Sequence, residues 1–183
     1  MNAAKVVARL NPPAQRYEKG MGGFGAVTEN DILLALSLIT SDGARLLGRV
    51  LYAGHTQFRR ELWLTMVLEA HIAAGRDNWR APGAETGRVC DLALNEFMRP
   101  RRCGYCKGHE AVPDPMIPRL KTSCPKCAGH GSRPWGDSTR ARVAKMGRKY
   151  WEKHWSERYG HTILPILDKY HDIFWYSLAK RLK

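Results

Sequence analysis

Apolar residues recur at helical spacing along most of the chain, and the breaks between these periodic stretches are where its other features gather. The first stretch, Ile32 to Ile39, follows Thr28-Glu29-Asn30-Asp31, whose hydroxyl and carboxylates suit a capping box. It is apolar on nearly every side, which predicts a helix buried in the core or against a partner. Ser41-Asp42 suits the cap of a second helix through Leu46, Leu47, Val50 and Leu51, ending near Gly54. Thr56 opens the longest helix of this half, with Phe58, Leu62, Met66 and Ala70 on one stripe and Gly75 as its stop. Three short-linked helices make a small bundle, placed at residues 28–80. His71 has no second ligand at helical spacing and reads as a satisfied or surface histidine.

After the loop Trp79-Arg80-Ala81-Pro82-Gly83, a fourth helix is expected from Thr86 to Met98, burying Val89, Leu92 and Ala93 with Cys90 and Phe97. Periodicity then stops. Residues 103–131 hold four cysteines and, between Glu110 and Ser123, three prolines, so a projecting turn or hairpin is expected there. Helical spacing returns after Asp137-Ser138, read as a cap. Thr139 to Met146 forms a short helix, Gly147 supplies a tight turn, and a second helix follows through Trp155. Small Ala141 and Ala144 allow close approach while Val143 and Met146 bury, which is a helix-turn-helix layout. Ile163, Leu167, Tyr170, Phe174 and Leu178 form a last stripe, a packing seam that Trp175 and Tyr176 extend towards partner contact or self-association.

The expected fold class is therefore mainly α: a helical bundle with a helix-turn-helix and an inserted four-cysteine knuckle with a β-hairpin. Residues 1–27, with Asn11-Pro12-Pro13 and a glycine run, read as a flexible arm, and residues 81–183 as a second region carrying the insert at 103–131. Gly20 to Val27 matches the glycine-rich loop of protein kinases, but the residues before it form no strand to hold its N–H groups against phosphates. The match is accidental.

The cysteine spacing carries the clearest chemistry. Cys103/Cys106 and Cys124/Cys127 are two Cys-x-x-Cys knuckles separated by seventeen residues. This is the spacing with which four thiolates close tetrahedrally on one structural zinc. Two disulfides would need an oxidising compartment, and nothing in the chain suggests export. Glycines follow both knuckles in parallel, Gly108 and then Gly129 and Gly131, with Glu110 standing where the second arm has Gly131. His109 and His130 are left outside a ligand set already complete, and Cys90 reads as a small core residue.

Charge adds a partner. The net charge is +13, and its distribution is uneven: residues 1–98 carry 11 Lys/Arg against 10 Asp/Glu, residues 99–183 carry 19 against 7. A basic excess confined to the half with the metal motif suits a polyanion, above all nucleic acid. Arg140, Arg142, Arg148, Lys149, Lys153 and Arg158 of the helical pair are candidates for phosphates or guanine edges, and Tyr150 and His154 for base reading. No paired carboxylates, Ser/His/Asp order or open zinc motif appears, so no catalysis is expected. With no leader segment, and with the longest apolar run interrupted by Ser37, a soluble cytoplasmic protein without membrane contact is expected.

Taken together, the order of these features resembles the Q-type transcription antitermination proteins of lambdoid phages. The likeness covers residues 86–170: a helix, Cys103-x-x-Cys106-x-Gly108, a linker, Cys124-x-x-Cys127-x-Gly129-x-Gly131, an Arg140-Ala141 helix, then Trp155-Ser156 and Pro165. The resemblance implies a protein of the host bacterial cytoplasm that binds double-stranded DNA at a late promoter and loads onto paused host RNA polymerase, making it read through terminators. Two other classes compete. Basic residues interleaved with Tyr150, Trp151 and Trp155 could bind single-stranded RNA. Cys-x-x-Cys-x-Gly-x-Gly is also the repeat of J-protein zinc domains, but those use four repeats and a His-Pro-Asp tripeptide, and this chain has two repeats and no such tripeptide.

Overall fold

The structure, a computed structural model, describes residues 29–80, 82–99, 101–114, 116–117 and 119–181. The arm expected over residues 1–27, its glycine run, and Thr28 of the expected capping box lie outside the described residues. In chain order come α1 (Glu29–Ser37), α2 (Asp42–Leu51), a 3-10 turn (Thr56–Phe58), α3 (Arg59–Arg76) and α4 (Gly83–Met98). Four short strands follow, β1 (Arg101–Arg102), β2 (Ala111–Pro113), β3 (Lys121–Ser123) and β4 (Ser132–Arg133). The chain ends its described course with α5 (Asp137–Val143), α6 (Arg148–His154), α7 (Ser156–Arg158), a π turn (Tyr159–Ile163) and α8 (Leu164–Arg181). The fold is mainly helical, with two small two-stranded antiparallel sheets.

Ile163, Leu167, Tyr170, Phe174 and Leu178 are all buried, and α8, which carries four of them, is the central helix. It packs against α1 and α2 and also touches α3 and α4. Glycines in α2 make that approach close: a Cβ on Gly43 would stand 2.1 Å from the Tyr170 ring, and one on Gly48 would stand 2.6 Å from the Phe174 ring. Tyr52, after α2, stacks on Phe174 at 4.6 Å between ring centroids. The boundary drawn at residue 80 therefore falls inside one continuous buried cluster that runs from Ala35 to Leu178.

Several local expectations change. α1 buries one face, Ala35 and Leu36, and leaves Leu33, Leu34 and Leu38 exposed, because α8 and α2 cover only one side of it. Gly75 does not stop α3. The helix runs to Arg76 and closes on Asn78, at φ 53, through Asn78 N–H to Gly75 O and Trp79 N–H to Ala74 O. α4 starts at Gly83 rather than Thr86, with Pro82 before it and the Thr86 hydroxyl donating back to Pro82 O. Asp137 is not a cap either: Gly136 precedes α5, and the Asp137 carboxylate accepts from Trp151 Nε1 at 2.9 Å and Ser156 Oγ at 3.2 Å. Gly147 is extended, at φ −66 and ψ 141, so the left-handed residue of the α5–α6 turn is Lys145, at φ 55. Pro165 lacks the N–H that the carbonyl of His161 would otherwise receive, and the backbone widens into its π turn just before it.

Candidate functional site

The two knuckles fold as matching arms, and the backbone shows how. Lys107 and Ala128 take φ 53 and 50, Gly108 and Gly129 take φ 90 and 82, and Glu110 and Gly131 take φ 64 and 67. Each arm then ends on the other's first cysteine: Cys103 N–H donates to Gly131 O and Cys124 N–H to Glu110 O, both at 2.9 Å. β2 and β3 pair Ala111 with Ser123 to make the hairpin between the arms, while β1 and β4 pair Arg102 with Ser132 at its neck. At the hairpin's far end Asp114 Oδ1 accepts the N–H groups of Met116 and Ile117.

This arrangement brings the four Sγ atoms within 4.8 Å of one another, and all four cysteines are buried and free. Cys103 Sγ lies 3.9 Å from Cys124 Sγ, and Cys106 Sγ lies 3.7 Å from Cys127 Sγ. Four thiolates about 2.3 Å from a central ion stand about 3.8 Å apart at tetrahedral corners, whereas a disulfide requires about 2.05 Å. The geometry fits one metal ion held by four sulfurs. The backbone N–H of Cys106 foremost holds the Cys103 thiol down at about 7, while burial and the neighbouring thiols push Cys127 up to about 11. Both histidines of the arms are exposed and stand outside the sulfur cluster.

At φ 64 Glu110 carries a strain that its counterpart Gly131 does not, because a side chain pays for a left-handed φ that glycine adopts freely. Glu110→Gly is expected to stabilise the module by roughly 0.5–1 kcal/mol. Gly131→Ala is expected to destabilise it, since its Cβ would meet Gly108 O at 3.0 Å. Urea midpoints of the metal-loaded proteins check the pair, and midpoints moving in the same direction would contradict the equivalence of positions 110 and 131.

The candidate nucleic-acid residues do not share one fate. Arg142, Lys149 and Lys153 are exposed. Arg148 is exposed too and pairs with Glu152 at 2.7 Å. The Tyr150 ring lies tilted against His154, 4.6 Å between centroids, and its hydroxyl donates to Glu85. The Arg158 guanidinium lies 4.7 Å over the Trp79 ring. Arg140 is the exception: only 16% of its side chain is exposed, and Nε and Nη2 donate to the two oxygens of Glu96 at 2.9 and 2.8 Å. It holds α5 to α4 instead of facing solvent. Burial works against its charge, but the hydrogen bonds to Glu96 and the Glu96 charge prevail and raise its pKa.

Three carboxylates organise this region: Glu85 and Glu96, missed in the sequence, and Asp137, read there as a cap. Glu96 accepts Arg140, the Trp135 N–H at 2.7 Å and the Tyr159 hydroxyl at 2.8 Å; Glu85 accepts Trp155 Nε1 at 2.9 Å; Asp137 accepts Trp151 Nε1. Burial, then the Glu96 charge, push the Tyr159 phenol up, so it stays a donor. Trp151 and Trp155 are buried, leaving Tyr150 as the exposed aromatic of that trio. Cys90 is buried as expected, and burial pushes its thiol up to about 12. Among the described residues no helix is long and apolar enough to cross a membrane. No protein-family model matches the chain, and no curated protein matches it.

Proposed function

We propose that this protein is a zinc-stabilised, duplex-DNA-binding transcription antitermination factor like the Q-type proteins it resembles. One observation carries the reading. A four-sulfur metal centre is inserted between α4 and a pair of short helices, α5 and α6, whose outer surface keeps Arg142, Arg148, Lys149 and Lys153 in solvent. Zinc suits the set because it is a d¹⁰ ion with no geometric demand beyond what four thiolates offer. Four thiolates fill its coordination, so its role is structural. The joined α5 and α6 act as the helix-turn-helix, with Arg148 and Lys149 at the start of α6 leading into the major groove.

Burial of Trp151 and Trp155 favours this duplex reading over single-strand binding, which needs open aromatic faces. The partners are the late-promoter duplex and the host RNA polymerase, met in the bacterial cytoplasm. Transcription with purified bacterial polymerase through a terminator tests it. Readthrough is expected only when the metal-loaded protein and the upstream promoter DNA are both present. Readthrough indifferent to the upstream DNA, or none at all, would remove the proposal.

A further inference from the structure

The turn between α5 and α6 does not end at open solvent. It forms one wall of a cleft of about 690 Å³ whose other walls are the start of α3 and the start of α4. Four cations line it, Arg59, Arg60, Arg88 and Lys145, with a single carboxylate, Asp91. That carboxylate is already engaged: Arg59 Nη2 donates to it at 2.6 Å and to Asn95 Oδ1 at 3.2 Å. Arg60, Arg88 and Lys145 are exposed, and among the described residues none has a carboxylate within salt-bridge distance. Glu85, next along α4, is turned to Tyr150 and Trp155.

Three uncompensated charges 28 and 57 residues apart in sequence thus converge from three elements on one cleft. Its floor is built: Trp63 Nε1 donates to Gly87 O at 2.8 Å, and a Cβ on Gly87 would stand 2.9 Å from the indole. Lys145 is held there by two hydrogen bonds, Lys145 N–H to Arg142 O and Met146 N–H to Ala141 O, at a left-handed position where glycine would be easier. Arg60, Arg88 and Lys145 line the cleft and are exposed. An enclosed small-molecule site buries most of its ligand, whereas a polyanion running past needs this open array.

We propose that this cleft is a phosphodiester-binding groove, in which Arg60, Arg88 and Lys145 hold the backbone of the duplex that the α5–α6 face engages. The inference rests on the duplex-DNA reading above and adds α3 and α4 to the interface. Its contacts are to phosphates, so they supply affinity without sequence choice.

The test uses the full-length, metal-loaded protein and a mixed-sequence duplex, with affinity measured across a salt series. The triple variant Arg60→Ala, Arg88→Ala, Lys145→Ala is expected to lower the salt slope by about 2–3 and weaken binding on the order of 10-fold or more. Arg60→Lys with Arg88→Lys should retain most of the slope. A control removing three exposed cations outside the cleft, Arg76, Lys169 and Lys180, should leave the slope near that of the parent. Equal losses in the control and the triple variant overturn the groove, leaving only net charge. If Arg142→Ala with Lys149→Ala weakens binding and the triple variant does not, the groove is wrong and the α5–α6 reading stands. The reverse result overturns the α5–α6 reading and with it a shared track. A parent protein that binds no duplex overturns both.

Discussion

Cys124→Ser is expected to abolish stoichiometric metal binding and unfold the hairpin module while leaving the helical core in place. The asymmetry follows from what each part buries. The core around α8 buries Leu47, Leu62, Met66, Leu92, Leu94, Leu167 and Phe174 among many others, and needs no metal to be stable. The module buries its four cysteines and part of Val112, and among the described residues nothing else apolar packs there. With so little apolar area, its folding free energy is the metal's binding free energy, about 10–16 kcal/mol for structural zinc sites in peptides. Removing one thiolate of four takes away most of that. Far-UV circular dichroism should therefore change little, while metal content falls from one equivalent to none and amide protection vanishes over residues 101–133. Chelation of the parent protein should do the same and expose Cys103, Cys106, Cys124 and Cys127 to maleimide. Cys90 should stay unlabelled until the core unfolds, because burial holds its thiol up at about 12. A chelated protein whose four module thiols remain inert would show that the arms hold together without metal.

What the sequence made legible was local. A Cys-x-x-Cys turn needs no distant partner to place its two sulfurs, and the glycines at 108, 129 and 131 mark left-handed positions directly. The stripe from Ile163 to Leu178 likewise announces a buried face by its spacing alone. What it packs against is another matter. α8 lies on α2 because Gly43 and Gly48 open a groove for Tyr170 and Phe174, more than a hundred residues away in sequence, and no local pattern records that pairing. The same limit hid the polar network. Arg140 has the composition of a phosphate ligand, and only the fold reveals Glu96 beneath it. Asn78 and Lys145 end helices where glycines at 75 and 147 had seemed the natural stops, because Ala74 O and Ala141 O select the residue that must turn left-handed. The basic cleft was invisible for the same reason: Arg60, Arg88 and Lys145 meet only once α3, α4 and α5 are packed.

Glu96→Ala is expected to destabilise the folded protein by about 3–5 kcal/mol, the usual loss when one partner of a buried ion pair is removed. At roughly 2–4 °C per kcal/mol for a chain of this size, the melting point should fall by about 10 °C. Glu96 is 7% exposed and receives two hydrogen bonds from Arg140, one from the Trp135 N–H and one from the Tyr159 hydroxyl. Alanine would leave the sheltered arginine charge with only the Asp137 carboxylate, 3.9 Å away, and two further donors lacking a carboxylate. The position of these groups makes the effect more than one of stability. Glu96 stands near the end of α4, just before the chain enters the metal module, and Trp135 stands just after the chain leaves it. One carboxylate therefore clasps both ends of the module and fixes α5 beside them. Arg140→Ala should cost a similar amount by stranding Glu96, and the double variant should cost clearly less than the two losses added together. Thermal denaturation of the four proteins gives the coupling directly. Strict additivity would mean that Arg140 is not bound to Glu96 in solution, would return it to the set of free cations on α5, and would leave the module's ends without their clasp.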